Sequence, residues 1–151
     1  MIDPVVRRAS LSDAGALVLL EREARQGLVD ARGGGRWLEE HPEIGSRWDD
    51  AVTSRIVFAA ELAFPDEPAH VVGFLVLDVD GPLAHVDQVY VTPGARELGF
   101  GDALLDAATD AARAAGATVL EGHALPGDRE TKNLYERAGI TARLITVSRR
   151  I

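Results

Sequence analysis

The 151-residue chain contains no cysteine. No disulfide, zinc thiolate site or thiol nucleophile can form, and a thiol-linked acyl-enzyme is excluded. That absence suits a reducing compartment, and the expected location is cytoplasmic. Lysine is nearly missing too. Lys132 stands alone among the 16 basic residues, which reads as gene base composition rather than chemistry. The longest apolar run, around 71–77, is too short to cross a bilayer. Met1-Ile2-Asp3-Pro4 lacks a basic region followed by an apolar core, so no signal peptide is expected. No internal repeat and no metal-binding spacing is present. Positive charge is scarce. Against 24 acidic residues the net charge is -8 and the isoelectric point about 4.9. Such a surface repels phosphate backbones, so nucleic acid is not an expected partner, while a cationic partner such as an amine is favoured. Arg143, Arg149 and Arg150 form the one local basic strip.

What is present fits a single domain over 1–151. Hydrophobic residues make up 46% of the chain. Residues 5–9 read as a strand, followed by a helix start at Ser10 or Ser12. Leu17, Leu20 and Ala24 repeat at helical spacing over 14–25. Gly33-Gly34-Gly35 marks a loop. One or two short acidic helices are expected over 37–52. Residues 56–62, 71–79 and 84–91 read as a strand meander, its middle member apolar enough to be central. A strong helix follows at 100–115, rich in alanine and stopped by Gly116. Then come a strand at 118–124, a helix at 129–138 and a last strand at 140–148. The order predicts a mixed α/β fold around one mostly antiparallel sheet of six to seven strands, with helices on both faces.

The segment from His85 to Asp102 carries the chemical signal. A strand ends at Val91, a tight turn follows, and Arg96-Glu97-Leu98-Gly99-Phe100-Gly101-Asp102 opens a helix. The first helical N–H groups have no intrahelical partner, and the helix dipole adds positive charge there. Gly99 and Gly101 would let a phosphate approach the backbone, and Arg96 can pair with a phosphate oxygen. The same glycines would also serve a plain loop-to-helix turn with Arg96 solvated.

In its context this segment resembles the acetyl-CoA-binding motif of the GNAT superfamily of N-acyltransferases. Their pattern is a strand, a short turn, Arg or Gln, two residues, Gly, one residue, then Gly or Ala. Here it reads Val89-Tyr90-Val91-Thr92-Pro93-Gly94-Ala95-Arg96-Glu97-Leu98-Gly99-Phe100-Gly101. A second motif, a tyrosine late in the following helix, reads Asn133-Leu134-Tyr135-Glu136-Arg137-Ala138-Gly139-Ile140. The opening Val6-Arg7-Arg8-Ala9 and Leu11-Ser12-Asp13-Ala14 are similar as well.

The resemblance implies acetyl-CoA as co-substrate and a small-molecule or peptide amine as acceptor. It puts the pyrophosphate on the backbone of Leu98, Gly99, Phe100, Gly101 and Asp102, with Arg96 beside it. It runs the pantetheine arm along Val89, Tyr90 and Val91, with the Val89 N–H on the thioester carbonyl. Asn133 joins the cofactor-binding set. Tyr135 would donate a proton to the departing thiolate. A phenol near pKa ~10 reaches a thiolate near ~8.5 only at short range.

The amine must also lose a proton. His85 and Asp87 lie two residues apart on one strand face and are the candidate base or relay, His85 being the better acceptor. Both also read as solvated strand residues. Glu121 and His123 alternate in the same way on the next strand and are weaker candidates; His41 and His70 read as structural. Glu97, Leu98 and Asp102 depart from the family pattern, as do Ile140 and Asp128. The acids of 39–50 read as an acceptor-attracting wall or as a solvated face. The short tail leaves an open edge, for which a homodimer is the expected remedy. A non-catalytic acyl-CoA-binding module fits the same motifs.

Overall fold

The computed structural model describes residues 3–151. Among them five strands form one open sheet in chain order: β1 (Val5–Arg8), β2 (Ile56–Leu62), β3 (His70–Asp80), β4 (Leu83–Val91) and β5 (Val119–Glu121). β1 to β4 pair antiparallel, whereas β4 and β5 run parallel. The helices are α1 (Ala14–Gln26), α2 (Gly34–Glu40), α3 (Trp48–Ser54), α4 (Phe100–Ala114) and α5 (Arg129–Arg137). None of the described helices is long and apolar enough to cross a membrane.

β3 takes the centre because it is apolar towards both faces, and 72–77 are buried. On one face Phe100, Leu104, Leu105, Ala108 and Ala112 of α4 pack with Phe58, Leu75, Leu77 and Val86. The alanines let the helix lie close to the sheet. On the other face Leu17 and Leu20 of α1 and Trp48, Ala51 and Val52 of α3 pack with Val57, Phe74 and Val76. Trp48 meets Phe74 edge-on, 5.4 Å between centroids.

The second face also buries a charge. Glu21 of α1 is 0% exposed. Its carboxylate accepts from the backbone N–H of Ile44 and Gly45 (both 3.0 Å), from Trp48 Nε1 (3.1 Å) and from Gln88 Nε2 (2.8 Å). One side chain thus ties α1, the turn before α3 and β4 together.

The sheet is smaller than the six to seven strands expected. The expected strand at 118–124 contracts to Val119–Glu121, and the expected strand at 140–148 is not formed. A strand needs a hydrogen-bonded neighbour, and the tail passes β5 without pairing to it. Past Ile140, ion pairs hold it through Arg143–Glu121 and Arg150–Glu39, both at 3.3 Å. Leu144, Ile145 and Val147 are therefore left 76, 78 and 89% exposed.

Candidate active site

β4 is irregular where it matters. Val76 of β3 faces Gln88, but Leu77 faces Val86, so Asp87 is an extra, bulged residue. β5 pairs with β4 only at Leu83, Ala84 and His85. Beyond that point the two parallel strands separate, and no described strand covers the β4 edge. The Val91 carbonyl accepts from Arg96 Nε at 3.0 Å, so it points away from β3. Two-residue alternation gives Val89 the same outward direction. A cavity of about 1100 Å³ occupies the gap, and Val89, Tyr90, Val91, Arg96 and Asn133 all line it.

The start of α4 forms one end of this cavity. Gly99 caps the helix at φ 87°, a conformation that favours glycine. The first helical bond of α4 runs from Ala103 N–H to the Gly99 carbonyl (3.0 Å). The N–H groups of Phe100, Gly101 and Asp102 therefore have no intrahelical partner. Gly101 lines the cavity and also meets a packing demand. A Cβ there would stand 2.9 Å from Leu134 Cδ1, so its smallness seats α5 against α4. Leu98 lies outside the cavity wall and is 37% exposed. The Asp102 carboxylate turns to Arg137, 3.4 Å away. Arg96 folds back over the Tyr90 ring, 5.6 Å from its centroid. Burial, with Glu23 nearby, pushes the Tyr90 phenol up to about 12.

Glu97 adopts φ 65°, a left-handed conformation that favours glycine. A side chain there is strained by about 1 kcal/mol. Glu97→Gly is therefore expected to be neutral or stabilising by up to about 1 kcal/mol in urea unfolding, despite glycine's entropic cost elsewhere. A clear loss of stability would show that the Glu97 side chain makes a compensating contact.

Tyr135 of α5 also lines the cavity, only 7% exposed, with Gly122 against its ring. A Cβ at Gly122 would collide with the phenol oxygen, so glycine there makes room for the hydroxyl. Burial, reinforced by Asp128, raises the phenol above its ordinary value and keeps it protonated at neutral pH. The histidines are arranged differently from the sequence reading. His123 lines the cavity, whereas His85 does not. His85 stands behind it, with its Nε2 3.2 Å from His123 Nδ1. Asp87 lines the cavity but is engaged by Arg55 NH2 at 3.0 Å. Trp37, unremarked in the sequence, packs on His123 at 4.3 Å and stacks on His41 at 3.4 Å. The acids of 39–50 do not line the cavity; that stretch contributes His41 and Pro42 instead.

Fold and site together define an α/β domain whose parallel strands splay beside a helix N-terminus. The sequence model of the acetyltransferase (GNAT) family matches residues 20–140, and the chain belongs to that family. No match was found among curated protein sequences. Solved structures share the fold at low identity. A variant of the BH1408 protein from Bacillus halodurans superposes with TM-score 0.74 at 15% identity, over 97% of this chain and 99% of that one. The PaiA N-acetyltransferase from Thermoplasma acidophilum, solved in complex with coenzyme A, gives 0.71 at 16%, over 91% and 89%. The ribosomal-protein-alanine N-acetyltransferase from Brucella melitensis gives 0.67 at 19%, over 99% of both chains.

Proposed function

We propose that this chain transfers an acetyl group from acetyl-CoA to a primary amine by direct attack in a ternary complex. The observation that carries this reading is one cavity that joins three features: the free edge of β4, the unpaired N–H groups of α4 and the Tyr135 hydroxyl. An extended pantetheine arm would pair with the outward backbone of Val89 and Val91 as an added strand. The pyrophosphate would accept from the amides that open α4, with Arg96 swinging off the Val91 carbonyl to join it. Asp102 would not repel it, because its carboxylate faces Arg137. The Val89 N–H would steady the developing oxyanion, and Tyr135 would protonate the leaving sulfur. Juxtaposition in one cavity supplies much of the rate.

Acetyl-CoA is expected to bind saturably in a calorimeter. Gly99→Glu is expected to weaken it at least tenfold, about 1.4 kcal/mol, by adding charge and strain at the helix start. Circular dichroism checks that the variant folds. No binding at about millimolar acetyl-CoA would end this reading. With binding in hand, mass spectrometry on a panel of small amines and peptide N-termini identifies the acceptor.

The unpaired tail favours a homodimer in which a second copy covers Leu144, Ile145 and Val147. Light scattering is expected to return twice the monomer mass, and removal of 141–151 to return the monomer.

A further inference from the structure

We infer that His123, with His85 behind it, takes the proton that the attacking amine must lose, the two imidazoles acting as a relay. This rests on the transferase reading above. His123, two residues past the end of β5, lines the cavity, and its Nδ1 is committed to His85 Nε2 at 3.2 Å. The ring centroids are 5.1 Å apart. No described residue bonds to His123 Nε2, yet no buried side-chain nitrogen or oxygen among the described residues lacks a partner. Nε2 is therefore accessible to solvent, on a residue that lines the cavity.

The proton balance is complete within the pair. In the resting tautomer His123 Nδ1–H donates to an unprotonated His85 Nε2, and His85 carries its own proton on Nδ1. The amine's proton passes to His123 Nε2. The proton on His123 Nδ1 passes to His85 Nε2. His123 ends neutral with its proton moved from one nitrogen to the other, and His85 ends as an imidazolium that returns a proton to water.

Three acidic residues flank His85, each ion-paired to an arginine. Asp78 stands opposite His85 across β3 and β4, and Glu121 stands opposite it across β4 and β5, so all three share a face. Asp87 completes the acidic setting, with Arg55 bridging it to Asp78. His123 is placed otherwise. Trp37 packs on its ring, His41 approaches from the end of α2, Tyr135 from α5 with Asp128 beyond it, and Asp87 from β4. Burial, and then His85, push His123 down to about 4. A base held that low does not keep a proton, and His85 stands within hydrogen-bond distance to take one on.

The test is imidazole nitrogen NMR on the full chain labelled with ¹⁵N-histidine, which has only 4 histidines to resolve. His123 is expected to stay neutral in the Nδ1–H tautomer across about pH 5–8. His85→Leu removes the acceptor and is expected to release His123 to the Nε2–H form; His85→Gln keeps an acceptor oxygen and is expected to retain it. On the first amine that the wild type acetylates, His123→Gln is expected to lower kcat about a hundredfold with acetyl-CoA affinity unchanged. A His123 that rests as Nε2–H, ignores His85→Leu or is dispensable for kcat overturns the relay alone. Absence of acetyl-CoA binding overturns the transferase reading, and this role with it.

Discussion

Glu21→Gln is expected to destabilise the protein by about 3–5 kcal/mol, although it changes one atom and removes no volume. Each carboxylate oxygen of Glu21 receives two donors: Gly45 N–H and Trp48 Nε1 on one, Ile44 N–H and Gln88 Nε2 on the other. An amide has one oxygen. Its nitrogen would point hydrogens at protein donors in a site that is 0% exposed. Gln88 can turn its amide oxygen towards that nitrogen, but the Ile44 N–H then stays unsatisfied at about 1–3 kcal/mol, and the remaining bonds lose their charge assistance. Reversible urea unfolding reads the difference directly. A loss below about 1 kcal/mol would mean that water enters the site and takes over the bonds. Since Gln88 adjoins the bulge at Asp87, the variant is also expected to loosen the β4 segment that lines the cavity.

Tyr135→Phe is expected to lower kcat by about a hundredfold or more while leaving acetyl-CoA affinity and stability close to wild type. The ring lies against Gly122 within the core cluster, and phenylalanine fills that space without its hydroxyl. The burial that raises the phenol keeps its proton in place well past neutrality, so Tyr135 does not set an alkaline fall in rate near its ordinary 10.0. Any fall at lower pH belongs to another group. Full activity in Tyr135→Phe would assign thiolate protonation to solvent. Loss of acetyl-CoA affinity instead would make Tyr135 a binding residue rather than an acid.

Much of the architecture was legible because local patterns and tertiary demands agree. The apolar run in β3, the alanine-rich face of α4 and the glycine at its entry each follow from spacing and residue type. Glu21 left a fainter signal. It lies four residues after Leu17 and beside Leu20, on the stripe that faces the sheet, and a charge on that stripe implies a buried partner set. The tail at 140–148 misled for the opposite reason: its composition suits a strand, but composition does not supply a neighbour to bond with.

By itself, then, the sequence determined the chemical inventory and the order of the elements. No thiol, a phosphate-compatible turn at Arg96 to Gly101, a late tyrosine and four histidines follow from residue identity alone. Only the tertiary structure decided which of these meet. The bulge at Asp87 and the parting of β4 from β5 beyond His85 open the cavity, and both depend on pairing between distant segments. The same parting brings His123 to the cavity wall and leaves His85 behind it. Alternation along a strand tells which residues share a face, but which of them reaches a gap is set by where the neighbouring strand stops.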